Sequence, residues 1–154
     1  MNDISKLINF LDTSDFIRET YGDGSVYFGQ KKDGLRHGKG IFSYSDGGKY
    51  EGDWVAGSME GWGTLYYASG AKAYEGEWKR DKFEGKGTIY NESPEELSGE
   101  YDYANFDNVD DYWTKYEGDF KNDNKSGFGV LYLTNGDRYI GNFKDDMIHG
   151  IGTF

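Results

Sequence analysis

The chain repeats itself about every 23 residues, and a period of that length restricts it to an array of small stacked units. Aromatic-x-Gly-x-aromatic recurs at Tyr50-Glu51-Gly52-Asp53-Trp54, Tyr74-Glu75-Gly76-Glu77-Trp78, Tyr116-Glu117-Gly118-Asp119-Phe120 and Tyr139-Ile140-Gly141-Asn142-Phe143. Tyr27-Phe28-Gly29-Gln30-Lys31 follows the same pattern with a lysine in fifth place. Eleven residues after each first tyrosine stands Gly-x-Gly: Gly38/Gly40, Gly61/Gly63, Gly85/Gly87, Gly127/Gly129 and Gly150/Gly152. Two residues further comes an apolar side chain: Phe42, Leu65, Ile89, Leu131 or Phe154.

Side chains alternate faces along a strand, so the first, third and fifth places of the motif share one face. The second and fourth, mostly Glu and Asp, share the other and are expected to stay wet. Both glycines of Gly-x-Gly are expected to leave room for a neighbouring ring. Gly34, Gly57, Asp81, Asp123 and Asp146 lie between the half-units as turn formers. Asp46-Gly47, Ser69-Gly70 and Asn135-Gly136 lie between units as hairpin turns. Each unit is then two short strands. A lone hairpin is marginal in water, so the units must stack. The expected fold is all-β: an antiparallel meander of stacked β-hairpin repeats in an elongated twisted sheet.

The units are expected at 27–49, 50–73, 74–96, 116–138 and, in part, 139–154. The gap from Tyr74 to Tyr116 is 42 residues. Leu97-Ser98-Gly99-Glu100-Tyr101 keeps the signature, so 97–115 reads as a shortened acidic unit; a plain acidic loop is the alternative. Residues 1–26 are expected to cap the array. Ile4, Leu7, Ile8 and Leu11 fall at helical spacing behind Asp3, which predicts a short N-terminal capping helix over 3–11. Thr20-Tyr21-Gly22-Asp23-Gly24 resembles an inter-unit turn, so a half repeat is expected before Tyr27. The last unit reaches only its second strand. A free edge there would suit pairing with a second copy or another chain.

The pattern Tyr-Glu-Gly-Glu-Trp…Gly-Lys-Gly-Thr-Ile-Tyr over 74–90 closely resembles the MORN repeat (membrane occupation and recognition nexus). The resemblance runs from Tyr27 to Phe154, and departs from the family at Lys31 and across 97–115. It implies a protein-protein adapter, often built into cytoskeletal or membrane-associated assemblies and sometimes self-associating. It also brings a second expectation, a peripheral phosphoinositide-binding module, and a third, a regulatory module fused to a catalytic chain.

Charge and composition narrow the field. Lys and Arg number 17 against 28 Asp and Glu, a net charge of −11. Phosphate backbones and anionic lipid repel such a surface, so nucleic acid is not an expected partner and membrane association has weak support. There is no cysteine, which excludes disulfides, thiolate metal sites and thiol nucleophiles. No secretory signal or span of about 20 apolar residues is visible, so a cytoplasmic protein is the default expectation. His37 and His149 each precede the first glycine of a Gly-x-Gly, a place the repeat itself explains. Gly38-Lys39-Gly40 and Gly85-Lys86-Gly87 lack the helix and remaining residues of a phosphate loop. No catalytic, cofactor-binding or metal-binding residue is expected, and the chain reads as a non-enzymatic scaffold.

Candidate partner contacts are the groove aromatics Tyr50, Trp54, Tyr74, Trp78, Tyr116, Phe120, Tyr139 and Phe143, which serve equally as packing on glycine. Trp62 and Phe128 stand between paired glycines and should form an apolar site on the opposite face. Lys31, Lys32 and Arg36, in a first unit of net charge +3, are the candidate anion or lipid contacts. Residues 91–115 carry net −7 with interleaved aromatics, a solvated loop or a surface for a basic partner.

Overall fold

The computed structural model describes residues 14–95 and 112–153. They form one open antiparallel sheet in which every strand neighbours the next in sequence. The strands are β1 (Ile17–Thr20), β2 (Val26–Lys32), β3 (Leu35–Ser43), β4 (Lys49–Val55), β5 (Ser58–Tyr66), β6 (Lys72–Lys79), β7 (Lys82–Tyr90), β8 (Trp113–Lys121), β9 (Asn124–Leu133), β10 (Arg138–Lys144) and β11 (Met147–Thr153). The meander of hairpins follows from the sequence period: two strands per unit, joined by alternating turns.

Two expectations fall wholly or largely outside the described residues. The helix predicted over 3–11 lies outside the described residues, and among the described residues there is no helix. β1 covers the N-terminal flank of β2 and pairs with it from Ile17↔Gly29 to Thr20↔Val26. Of the shortened unit predicted over 97–115, residues 97–111 also lie outside the described residues. β7 pairs directly with β8, Gly87 opposite Gly118 and Ile89 opposite Tyr116, which is the register of every other junction between repeats. Trp113 to Lys115 open β8, and residues 96–111 lie outside the described ones.

Each hairpin within a unit closes through two residues of positive φ, such as Arg80 (50°) and Asp81 (68°). That is the turn geometry whose twist matches the strands. The acidic turn residue has a second task. Asp81 Oδ1 accepts Met59 N–H at 2.8 Å, Asp123 accepts Phe83 N–H at 2.8 Å, and Asp146 accepts Lys125 N–H at 2.7 Å. In return, Met59, Phe83 and Lys125 carbonyls accept the N–H of those aspartates at 3.0–3.1 Å. Successive turns are thus stitched together along one edge. We expect Asp123→Ala to cost about 1–2 kcal/mol, since it removes a backbone partner and puts alanine at positive φ. Asp123→Asn should stay within about 0.5 kcal/mol, because the amide oxygen still accepts. Thermal melting of both variants checks this, with amide exchange at Phe83 as the local readout.

Candidate interaction surfaces

The first tyrosines of the five units are the largest fully buried side chains among the described residues. Tyr27, Tyr50, Tyr74 and Tyr116 are 0% exposed and Tyr139 is 2% exposed. Each lies over a glycine pair formed by the third place of its own strand and the second glycine of Gly-x-Gly on the next, such as Gly52 and Gly63 under Tyr50. The fifth-place ring then stands edge-on between two tyrosines. Trp54 meets Tyr27 and Tyr50, Trp78 meets Tyr50 and Tyr74, Phe120 meets Tyr74 and Tyr116, and Phe143 meets Tyr116 and Tyr139. Their centroids are 4.9–5.5 Å apart and their planes cross at 77–88°. That is the favoured edge-to-face geometry, worth about 0.5–1.5 kcal/mol per pair beyond burial. The fifth ring therefore joins one repeat to the one before it.

This explains Lys31. Tyr27 is the first of the glycine-seated tyrosines among the described residues, and Lys31 pairs with Glu19 of β1 at 2.8 Å. Arg36 closes the row of rings. Its guanidinium carbon lies 4.8 Å from the Phe42 centroid and 5.3–5.7 Å from those of Tyr21, Tyr27 and Trp54. Of the three candidate anion contacts, Lys31 is in an ion pair, Arg36 is stacked among rings, and Lys32 is exposed.

Two features of the spine escaped sequence reading. The register slips after the third-place glycine in each unit, as between Gly52 and Trp54. The slipped fourth residue turns its carbonyl out of the ladder, and the tyrosine hydroxyl of the same unit donates to it. Tyr27, Tyr50, Tyr74 and Tyr116 bond the carbonyls of Gln30, Asp53, Glu77 and Asp119 at 2.6–2.8 Å. Phenylalanine could not donate this bond. The other feature concerns the first glycine of Gly-x-Gly. It was expected to sit beneath a ring, and instead it takes positive φ, 93° at Gly61. The backbone N–H after it then turns to the fourth-place acid, Trp62 N–H to Asp53 Oδ2 at 2.9 Å.

Burial makes the hydroxyls of Tyr27, Tyr50, Tyr74 and Tyr116 weaker acids than a free phenol. Desolvation pushes the Tyr27 phenol up to about 12, and it pushes Tyr50, Tyr74 and Tyr116 higher still, with Asp53, Glu77 and Asp119 adding to the effect. A raised folded-state value means that the folded protein holds the proton and the unfolded chain releases it first. The stabilisation is complete below about pH 10, the ordinary phenol value, and is lost as pH rises from there through 12 and beyond. We expect each of these tyrosines to contribute about 1.4 kcal/mol of lost stability per pH unit above 10. Alkaline unfolding should therefore coincide with a cooperative rise in tyrosinate absorbance. Independent titration of each phenol near pH 10 with the fold intact would contradict the burial.

The predicted contact residues divide. Tyr50, Trp54, Tyr74, Trp78, Tyr116, Phe120, Tyr139 and Phe143 are 5% exposed or less and form the packed spine, the alternative the sequence left open for each. What borders them is a rim of partly buried apolar groups, among them Phe42, Tyr44, Met59, Leu65, Phe83 and Ile89, packed against the rings. Trp62 and Phe128, on the other face, are 53% and 54% exposed. The expectation that second-place acids stay wet fails at Glu51, which is 2% exposed and ion-paired to Lys49 at 2.9 Å. His37 Nδ1 accepts Ala56 N–H at 3.4 Å, a structural bond within the stitched turns. Among the described residues no group of three or more acids and histidines could hold a metal ion. No helix among them is long and apolar enough to cross a membrane.

The MORN-repeat family profile matches residues 27–49, 50–72, 74–91, 116–138 and 139–154. These five matches begin at Tyr27, Tyr50, Tyr74, Tyr116 and Tyr139, the tyrosines that lie on glycine pairs. The unmatched stretch from 92 to 115 falls where β7 passes to β8. MORN repeats serve as membrane- or protein-interaction modules. With the matched repeats covering most of the chain, and the sheet built from one tyrosine and one glycine pair per unit with a bridging ring in four of the five, this protein belongs to the MORN-repeat family.

Proposed function

We propose that this chain is a non-enzymatic protein-interaction scaffold. It binds an extended or helical segment of a partner along the ring-bearing face, within a cytoskeletal or membrane-associated assembly. The observation that carries this reading is a single-layer sheet with a half-buried apolar rim. Phe42, Leu65, Phe83 and Ile89 rest on the aromatic spine, and among the described residues no second layer covers them. Apolar groups left in a row on one side of a sheet are the feature by which interaction faces are recognised. The spine beneath them is rigid, so a partner meets a preformed surface and little is spent on ordering it.

The test is capture from the source cell, followed by mass spectrometry, with the wild type and a Leu65→Arg/Ile89→Arg double variant. Each substitution places a charge on the rim and leaves the spine in place. The expected result is a specific protein retained by the wild type and lost by the double variant, both melting within a few degrees of each other. Retention of the same protein by the double variant would remove the ring-bearing face from the function.

The phosphoinositide reading has less support here. Lys31 is paired with Glu19 and Arg36 is covered by rings, and the whole chain carries −11. In flotation with acidic vesicles at about 0.1 M salt, where the screening length is near 10 Å, we expect the protein to remain unbound. Strong binding abolished by Lys31→Glu/Lys32→Glu/Arg36→Glu would reverse that preference.

A further inference from the structure

On the face opposite the rings, most strand carboxylates have a lysine. Glu51 pairs with Lys49 and Glu117 with Lys115, both at 2.9 Å, and Glu75 pairs with Lys72 at 2.7 Å. Asp53 pairs with Lys39 and Asp119 with Lys86. Glu60, Glu77 and Glu84 are different: among the described residues, none of the three makes an ion pair. All three line one shallow cleft of about 410 Å³, together with Trp62 and Lys79. Trp62 is the exposed indole of β5 and stands directly opposite Glu77 of β6. Two of the carboxylates are held in place by backbone. Glu77 accepts Lys86 N–H at 2.5 Å and Glu84 accepts Asn122 N–H at 2.8 Å. Each of these uses one oxygen, and a carboxylate offers two.

The repeat supplies its own comparison. Phe128 occupies the place of Trp62 in a later unit, at 54% exposure against 53%. Opposite it stands Asn142 in place of Glu77. Ser126 and His149 replace Glu60 and Glu84. Both rings have an aspartate on their backbone N–H, Asp53 at Trp62 and Asp119 at Phe128, but only Trp62 has the three further acids beside it.

We infer that the Trp62 cleft is the docking point for a basic segment of a protein partner, with one arginine or lysine seated on the indole between Glu60, Glu77 and Glu84. An aromatic face attracts a cation, most strongly on tryptophan, and arginine adds flat stacking and paired bonds to a carboxylate. Three acids against Lys79, on a chain of net −11, favour and steer such a segment. The same charges disfavour the other occupants: a second copy would bring identical carboxylates together, and an acidic lipid surface would be repelled. This inference rests on the protein-interaction reading above and adds the chemistry of the partner at a second surface.

The test is binding of a fluorescently labelled peptide of alternating arginine and serine to the full chain, read by anisotropy. Any acidic protein attracts such a peptide, so the deciding variants are compared in pairs that leave net charge unchanged or change it equally. Trp62→Ala should weaken binding by about threefold to tenfold, the range expected for losing a cation–ring contact. Phe128→Ala should change it by less than about twofold, within the scatter of a non-contact position. Glu60→Gln/Glu84→Gln should weaken it more than Glu92→Gln/Glu95→Gln, which removes two charges from exposed positions elsewhere. Equal binding by the Trp62 and Phe128 variants, or equal weakening by the two glutamine pairs, overturns the proposal and leaves only general attraction to an acidic surface. Trp62 is exposed, so its variant should melt with the wild type; a lower melting point with unchanged affinity also counts against it. The Leu65→Arg/Ile89→Arg variant should bind the peptide at least as well as wild type after allowing for its added charge. Its loss of native capture therefore reports on the ring-bearing face alone.

Discussion

Gly63→Ala should lower stability by about 3 kcal/mol, the upper end of overpacking costs. A Cβ at Gly63 would fall inside the Tyr50 side chain, 2.5 Å from Cζ. The ring has nowhere to go. Trp54 and Trp78 hold it edge-on from both sides at 5.2 and 5.0 Å, and its hydroxyl is bonded to the Asp53 carbonyl at 2.8 Å. Moving the strand instead would break the bond from Trp78 Nε1 to the Gly63 carbonyl, 3.0 Å long. Adding Tyr50→Phe should not restore stability, because ring carbons as well as the hydroxyl occupy the space. Gly22→Ala is the control. Nothing lies within 4 Å of a Cβ there, and the change should stay within about 0.5 kcal/mol. Urea or thermal unfolding of the three variants decides the matter. A Gly63→Ala protein that melts with Gly22→Ala would show that the tyrosine does not rest on glycine.

Trp78→Ala should cost about 3–5 kcal/mol, the usual range for deleting a large buried ring. The ring is 5% exposed and joins two repeats through Tyr50 and Tyr74. Its loss opens a cavity, removes two edge-to-face contacts and leaves the Gly63 carbonyl without its donor. Trp78→Phe should lose far less, about 1 kcal/mol for the hydrogen bond plus the smaller ring. Phe120 and Phe143 already perform the bridging task without an indole, so the array tolerates that substitution at equivalent places. Stability in a stacked array is a sum of unit and neighbour terms, so the damage should concentrate at the junction between the second and third repeats. Amide exchange would localise it there. A Trp78→Ala chain that melts normally yet fails to capture its partner would make the ring a contact and not a bridge.

Much of this was readable from residue order. The tyrosine-glycine alternation placed Tyr50, Gly52 and Trp54 on one face, and the glycine pairs marked where rings lie. The exposure of Trp62 and Phe128 followed from the same alternation. What failed did so for identifiable reasons. The first glycine of each pair was assigned to ring packing, because alternation counts positions and does not register a bulge. Gly61 at φ 93° is that bulge. Glu51 looked like a solvent residue, yet it is buried beside Lys49.

Period, face and strand order are properties of sequence alone here, because each unit contacts only its neighbours and the repeat carries the instructions for both. Whether an aromatic side chain becomes packing or surface is decided between strands. Tyr50 and Trp62 are both large rings on adjacent strands. One is covered because a glycine from the partner strand and two flanking rings enclose it, and the other lies open because its face has no bridging ring. The unpaired carboxylates around Trp62 are likewise a matter of which strands meet. Residue order records Glu60, Glu77 and Glu84 as separate acids, and only the cross-strand register gathers them at one indole.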